Sequence, residues 1–163
     1  MKFTGVVPPS LIVIALVGVL PYPVFAQIDP RILGTWKLNL AKSIWEPGPP
    51  PTSLTVTREQ VGDPVKYTIE IVAANGNRKT IVETPKYDGK DYPRIGIAAT
   101  DPDTVALKRL DANTVEETLK KTGKVFQTAR QVMSKDGKVI TTTLTGTNAS
   151  GQRVRHVLVY DKQ

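Results

Sequence analysis

Few residues in this chain have the chemistry for catalysis or ligation, and their spacing limits what they could do. His156 is the sole histidine and cysteine is absent. A catalytic triad, or most zinc sites, would therefore have to use His156. No Gly-x-Ser-x-Gly accompanies it and no second nitrogen ligand is available. Neither a metal nor another cofactor is expected, and no residue is assigned a catalytic role. His156 alternates with Val154 and Leu158, which predicts an inward ring that senses pH or orients the polar head of a ligand.

The acidic residues give equally little. Glu116 and Glu117 are neighbours, and adjacent residues on a strand point to opposite faces, so they cannot converge on one substrate. If Val115 and Leu119 face inward, Glu117 follows them and needs a partner; Arg130 on the next strand is the candidate. The competing reading leaves Glu117 in solvent, and the sequence favours that one. Asp101-Pro102-Asp103 lacks the spaced oxygen ligands of a calcium loop and reads as a turn. Tyr67, Tyr87, Tyr92 and Tyr160 supply amphipathic walls for a pocket. With Arg130 and His156 they make up the expected ligand-binding set. Trp45, beside the proline loop, reads either as a lid that stacks on a ligand or as packing under that loop.

The elements that must position these residues are strands. Turn signals recur through the sequence, among them Asn75-Gly76, Asp88-Gly89, Thr122-Gly123 and Asp136-Gly137. Such pairs supply the positive φ angles of tight hairpins. The segments between them alternate: in VKYTIEI, Val65, Tyr67, Ile69 and Ile71 share one face, and Lys66, Thr68 and Glu70 the other. Weaker alternation, rich in β-branched threonine, runs through 104–110, 114–121, 124–133, 138–147 and 153–160. The spacing predicts nine or ten antiparallel strands. A helical turn capped by Asn39 is expected over LAKSIW, ended by Pro47, and Pro47 to Pro51 read as an extended loop. Consecutive hairpins make an up-and-down meander, and closing it removes the aggregation-prone edges. The expected fold is all-β: an 8–10-stranded β-barrel. A two-sheet β-sandwich is the alternative.

The chain begins with Lys2 and the unbroken apolar run LIVIALVGVL, followed by Val-Phe-Ala ending at Ala26. That predicts a cleavable signal peptide over residues 1–26 and one domain over 27–163. Export to a bacterial periplasm or the medium follows, as a soluble monomer with no membrane anchor after cleavage. The net charge of +7 is spread, with no run longer than two like charges. This is the pattern of solvated strand faces, and no nucleic-acid partner is expected.

Gly34-Thr35-Trp36 on the first strand resembles the Gly-x-Trp of lipocalins. The resemblance implies that Gly34 and Trp36 close the barrel floor and that an Arg from a late strand packs over the indole, here Arg153 or Arg155. GTWKL and the terminal VYDK look like the ends of fatty-acid-binding proteins, which share the calycin barrel. The carboxylate clamp of that group has Arg where Leu158 stands, so it is not carried over. GTWKLNLAKS, PGPPP and KYDGKDYP together are similar to small secreted bacterial lipocalin-like proteins of unknown function, over nearly the whole mature chain. The resemblance implies a non-catalytic barrel binding a small apolar or amphipathic ligand. The alternative is a structural or interaction protein of the envelope, with a filled barrel and a basic outer face.

Overall fold

The computed structural model describes residues 28–163; the expected signal segment lies outside the described residues. Eleven strands follow a short 3-10 turn at Pro30–Ile32: β1 (Gly34–Leu38), β2 (Ile44–Glu46), β3 (Ser53–Gln60), β4 (Val65–Val72), β5 (Arg78–Glu83), β6 (Tyr92–Ile95), β7 (Thr104–Arg109), β8 (Thr114–Lys121), β9 (Lys124–Met133), β10 (Val139–Thr147) and β11 (Arg153–Lys162). From β3 to β11 each strand pairs antiparallel with the next, and β1 pairs with both β3 and β11. The register Trp36–Lys162, Lys37–Asp161, Leu38–Tyr160 closes the ring. The result is a closed ten-stranded antiparallel up-and-down barrel rather than a sandwich. Among the described residues no helix is long and apolar enough to cross a membrane.

Local sequence explains the hairpins. Thr122 and Gly123 both have positive φ (49° and 76°), the geometry of a two-residue I′ turn between Lys121 and Lys124. Gly146 answers a different need. Its φ is +147°, and a Cβ there would lie 2.4 Å from the Phe126 carbonyl oxygen of β9, so β10 can bend this close to its neighbour only without a side chain.

The expected helical turn after Asn39 is shorter than the sequence predicts. Asn39 does cap a single 3-10 turn, Leu40–Lys42, accepting the Lys42 N–H at 3.1 Å. The chain then extends again as β2 instead of continuing helical to Pro47. The reason is β11. It is longer than β1, and once β1 ends at Leu38 its edge is free to pair with a second segment. β2 takes that place through Ile44–Val157, Trp45–His156 and Glu46–Arg155. Between the two strands the Ser43 hydroxyl accepts the Val159 N–H at 3.0 Å and donates to the Asn39 carbonyl at 2.7 Å. β2 does not pair with β3. A slot therefore opens between them at one end of the barrel, spanned by Pro47–Pro51.

Inward residues follow the period-two rule, and their polarity grades along the barrel axis. One end is closed and apolar: Trp36 and Val65 are fully buried, with Leu107, Met133 and Ile140 in the same core cluster. Toward the other end the inward positions of β4, Ile69 and Ile71, are only half-buried. That difference locates the site.

Candidate functional site: a half-open barrel cavity

Trp36 seals the closed end. Its Nε1–H donates to the Ile32 carbonyl at 2.8 Å, which ties the indole to the 3-10 turn Pro30–Ile32. Arg31 fixes that turn from outside, donating to the Lys135 carbonyl at 2.7 Å and pairing with Asp29 at 2.6 Å. Two cations face the indole: the Arg58 guanidinium, 5.7 Å from the ring centroid, and Lys162 Nζ at 5.3 Å. The expectation that Arg153 or Arg155 covers Trp36 is corrected. Both side chains are exposed on the outer face of β11. His156, Leu158 and Tyr160 hold that strand's inward phase, and an odd-numbered arginine cannot share it. Arg58 comes instead from β3, in phase with Leu54 and Val56. Gly34 is exposed at the start of β1, with φ +105°.

Above the indole lies a buried polar layer. Arg58 stacks over Tyr67 at 5.1 Å and donates through Nη2 to Gln131 Oε1 at 3.1 Å. Gln131 Nε2 in turn donates to Glu117 Oε2 at 2.5 Å. The Tyr67 and Tyr87 hydroxyls meet at 2.5 Å, and Arg109 covers Tyr87 at 4.9 Å. Burial pushes both tyrosines above their usual range. Glu117 therefore points inside, against the favoured solvent reading, and Arg130 is not its partner. Arg130 is exposed, whereas Ala129, Gln131 and Met133 carry the inward phase of β9. Beside this layer Glu83 and Arg94 pair at 2.8 Å with side chains only 5% and 8% exposed. Burial outweighs the arginine and pushes the Glu83 carboxyl up to about 7, with the Glu117 charge acting in the same direction.

Beyond that layer the barrel opens into a cavity of about 1010 Å³. Leu54, Ile69, Ile71, Ile81, Leu144 and Leu158 form its apolar walls. Glu117 and Tyr160 stand where the cavity meets the polar layer, and Lys79, paired with Asp101 at 2.8 Å, lies at the mouth. Burial raises the Tyr160 pKa, and the nearby Glu117 charge adds to the rise. His156 lines the wall beside Trp45; the two rings stack at 4.1 Å and 16°. His156 Nδ1 accepts the Glu46 N–H at 3.1 Å. The neutral ring therefore carries its proton on Nε2, and burial holds its pKa below the usual imidazole value. A serine-protease-type triad needs the opposite arrangement, with Nδ1–H donating to a carboxylate. Among the described residues no three His, Asp or Glu side chains gather at metal-binding distance.

The expected ligand-binding set is thus divided. His156 and Tyr160 line the cavity; Tyr67 and Tyr87 lie beneath it in the polar layer. Tyr92 sits near the closed end, bonded to Asp88 at 3.0 Å, and Arg130 is outside. Trp45 stacks on His156 and lines the cavity with Pro49 and Pro51 of the proline loop. Sequence reasoning missed Arg58, Gln131 and Arg94. The first two carried a signal, a polar residue in the apolar phase of an alternating strand. Arg94 carried none, because β6 is only four residues long.

No protein-family model matches the chain, and no curated protein matches it. Among solved structures it is similar to the zebrafish ileal bile acid-binding protein complexed with cholic acid. The two are 16% identical, over 82% of this chain and 99% of that one, with a TM-score of 0.49. A likeness at this level says nothing of ligand or activity.

Proposed function

We propose that the protein is a non-catalytic carrier of one small apolar or amphipathic molecule, held in the open half of the barrel. The observation that supports this is the cavity of about 1010 Å³, which falls at the upper end of the range of small-molecule sites. Leu54, Ile69, Ile71, Ile81, Leu144 and Leu158 give it aliphatic walls, polar side chains such as Lys79, Arg94, Glu117 and His156 stand among them, and it opens opposite the sealed Trp36 end. The filled-barrel alternative describes only the lower half. The arrangement of His156 supports a binding role over a catalytic one, since its Nδ1 is occupied by a peptide N–H.

The apolar run before Ala26 supports export to a periplasm or the medium with cleavage after Ala26. An N-terminal mass measurement on protein from the native host should read Gln27.

The binding reading is tested by fluorescence titration with alkyl and aromatic probes, comparing the parent with Leu144→Trp. The parent should bind apolar probes at micromolar concentration or better. Leu144→Trp, which puts an indole into the cavity, should weaken binding at least about tenfold while keeping the β spectrum. An unchanged affinity in a folded Leu144→Trp protein would place the probe elsewhere and overturn the assignment.

A further inference from the structure

The inner end of the cavity is polar in a one-sided way, and this constrains its occupant. The following rests on the ligand-binding reading above and deepens it. Glu117 lines the cavity. Its Oε2 accepts from Gln131, and among the described residues Oε1 receives no hydrogen bond. Tyr160 lines the same end; it is 8% exposed, and its hydroxyl has no hydrogen-bond partner among the described residues. Of the interior cations, Arg58 and Arg109, whose Nε atoms are buried without a hydrogen-bond partner among the described residues, lie below the cavity and do not line it. Arg58 donates to Gln131 and stacks on Tyr67, and Arg94 donates to Glu83 and to the Pro102 carbonyl. At the mouth Lys79 is held by Asp101. What the inner end lacks is a hydrogen-bond donor for Glu117 and a partner for Tyr160.

An alkyl chain pushed against Glu117 would strip water from a carboxylate oxygen and return nothing, which is costly in a low-dielectric site. A carboxylate head would add like-charge repulsion. A hydroxyl or an amino group supplies the missing donor, and a hydroxyl also accepts from Tyr160. We infer that the cavity takes amphiphiles bearing an alcohol or amine, inserted donor-end first onto Glu117 and Tyr160, and discriminates against fatty carboxylates. The apolar body then lies along Leu54, Ile71 and Leu144, and Trp45 flanks the exit beside the proline loop.

Calorimetric titration with 1-decanol, decylamine and decanoate at pH 7.5 tests this, since chain length is constant and only the head changes. Decanol and decylamine should bind at least about tenfold tighter than decanoate. Glu117→Gln, which can still bond Gln131, should lose most of the decylamine preference and gain affinity for decanoate. Tyr160→Phe should weaken decanol while leaving decylamine within about twofold. Circular dichroism on both variants separates these effects from unfolding. Decanoate binding as tightly as decanol, or preferences unmoved in folded Glu117→Gln, would overturn the inference while leaving the carrier reading intact. If none of the three probes binds, both fall together.

Discussion

Glu83 shows how this interior handles charge. It sits beside Arg94 at 2.8 Å, yet burial and the Glu117 charge raise its carboxyl pKa from 4.5 to about 7. A carboxyl raised on folding stabilises the native state fully below its unfolded pKa, and that contribution is lost as pH rises through the folded value. His156 works in the opposite direction. Its pKa is lowered by burial, so its contribution is present above the ordinary imidazole value of 6.5 and is lost as pH falls below it. A comparison of the parent with Glu83→Gln cancels the histidine and isolates the carboxyl. As pH rises from about 4.5 to about 7, the stability difference should move in the variant's favour by up to about 3 kcal/mol. Urea unfolding at pH 5 and pH 8 measures it. A parent that gains on Glu83→Gln over that interval would mean that the Arg94 pair, not desolvation, dominates.

At the scale of elements, β2 is the segment to watch. It is three residues long and pairs on one edge only, with β11. Its Glu46 N–H donates to the His156 ring, and the next residues are the proline loop. β1 pairs on both edges and carries the fully buried Trp36. Local opening follows burial and hydrogen bonding. Amide exchange at Ile44–Glu46 should therefore be faster than at Thr35–Leu38, by at least about two orders of magnitude, and His156→Ala should speed Glu46 further. Equal protection of the two strands would show that the slot between β2 and β3 does not open.

The whole molecule depends on one long-range closure. β1 must find β11 across nearly the entire described chain, and no local turn helps it. Folds dominated by such pairings collapse slowly because loop entropy is lost before the contacts form. Stopped-flow refolding should show a main phase in the range of about milliseconds to seconds. Lys162 packs over the Trp36 indole and donates to the Arg31 carbonyl at 2.6 Å, so the last strand also helps to seal the closed end. Refolding complete in microseconds would be incompatible with this closure as the limiting event.

Much of this was legible in the residues themselves. Alternation and Asn-Gly or Asp-Gly turns depend on neighbours one or two positions apart, so β4 and the strands from β7 to β11 could be read directly, whereas β3, β5 and the four-residue β6 were not singled out. Val65, Tyr67, Ile69 and Ile71 announced the inward face of β4, and Gly34-Thr35-Trp36 announced the plug. The partners of inward polar residues could not be read, because they are set by register across the sheet. Glu117 meets Gln131 rather than Arg130 because β9 turns its odd-numbered residues inward. Arg58 rather than Arg153 covers Trp36 because β3, not β11, presents an arginine to that end. The choice between barrel and sandwich, the second use of β11 by β2, and the cavity left above the polar layer all follow from where the sheet meets itself. That meeting is a contact between the two ends of the folded chain, and no local pattern of residue types encodes it.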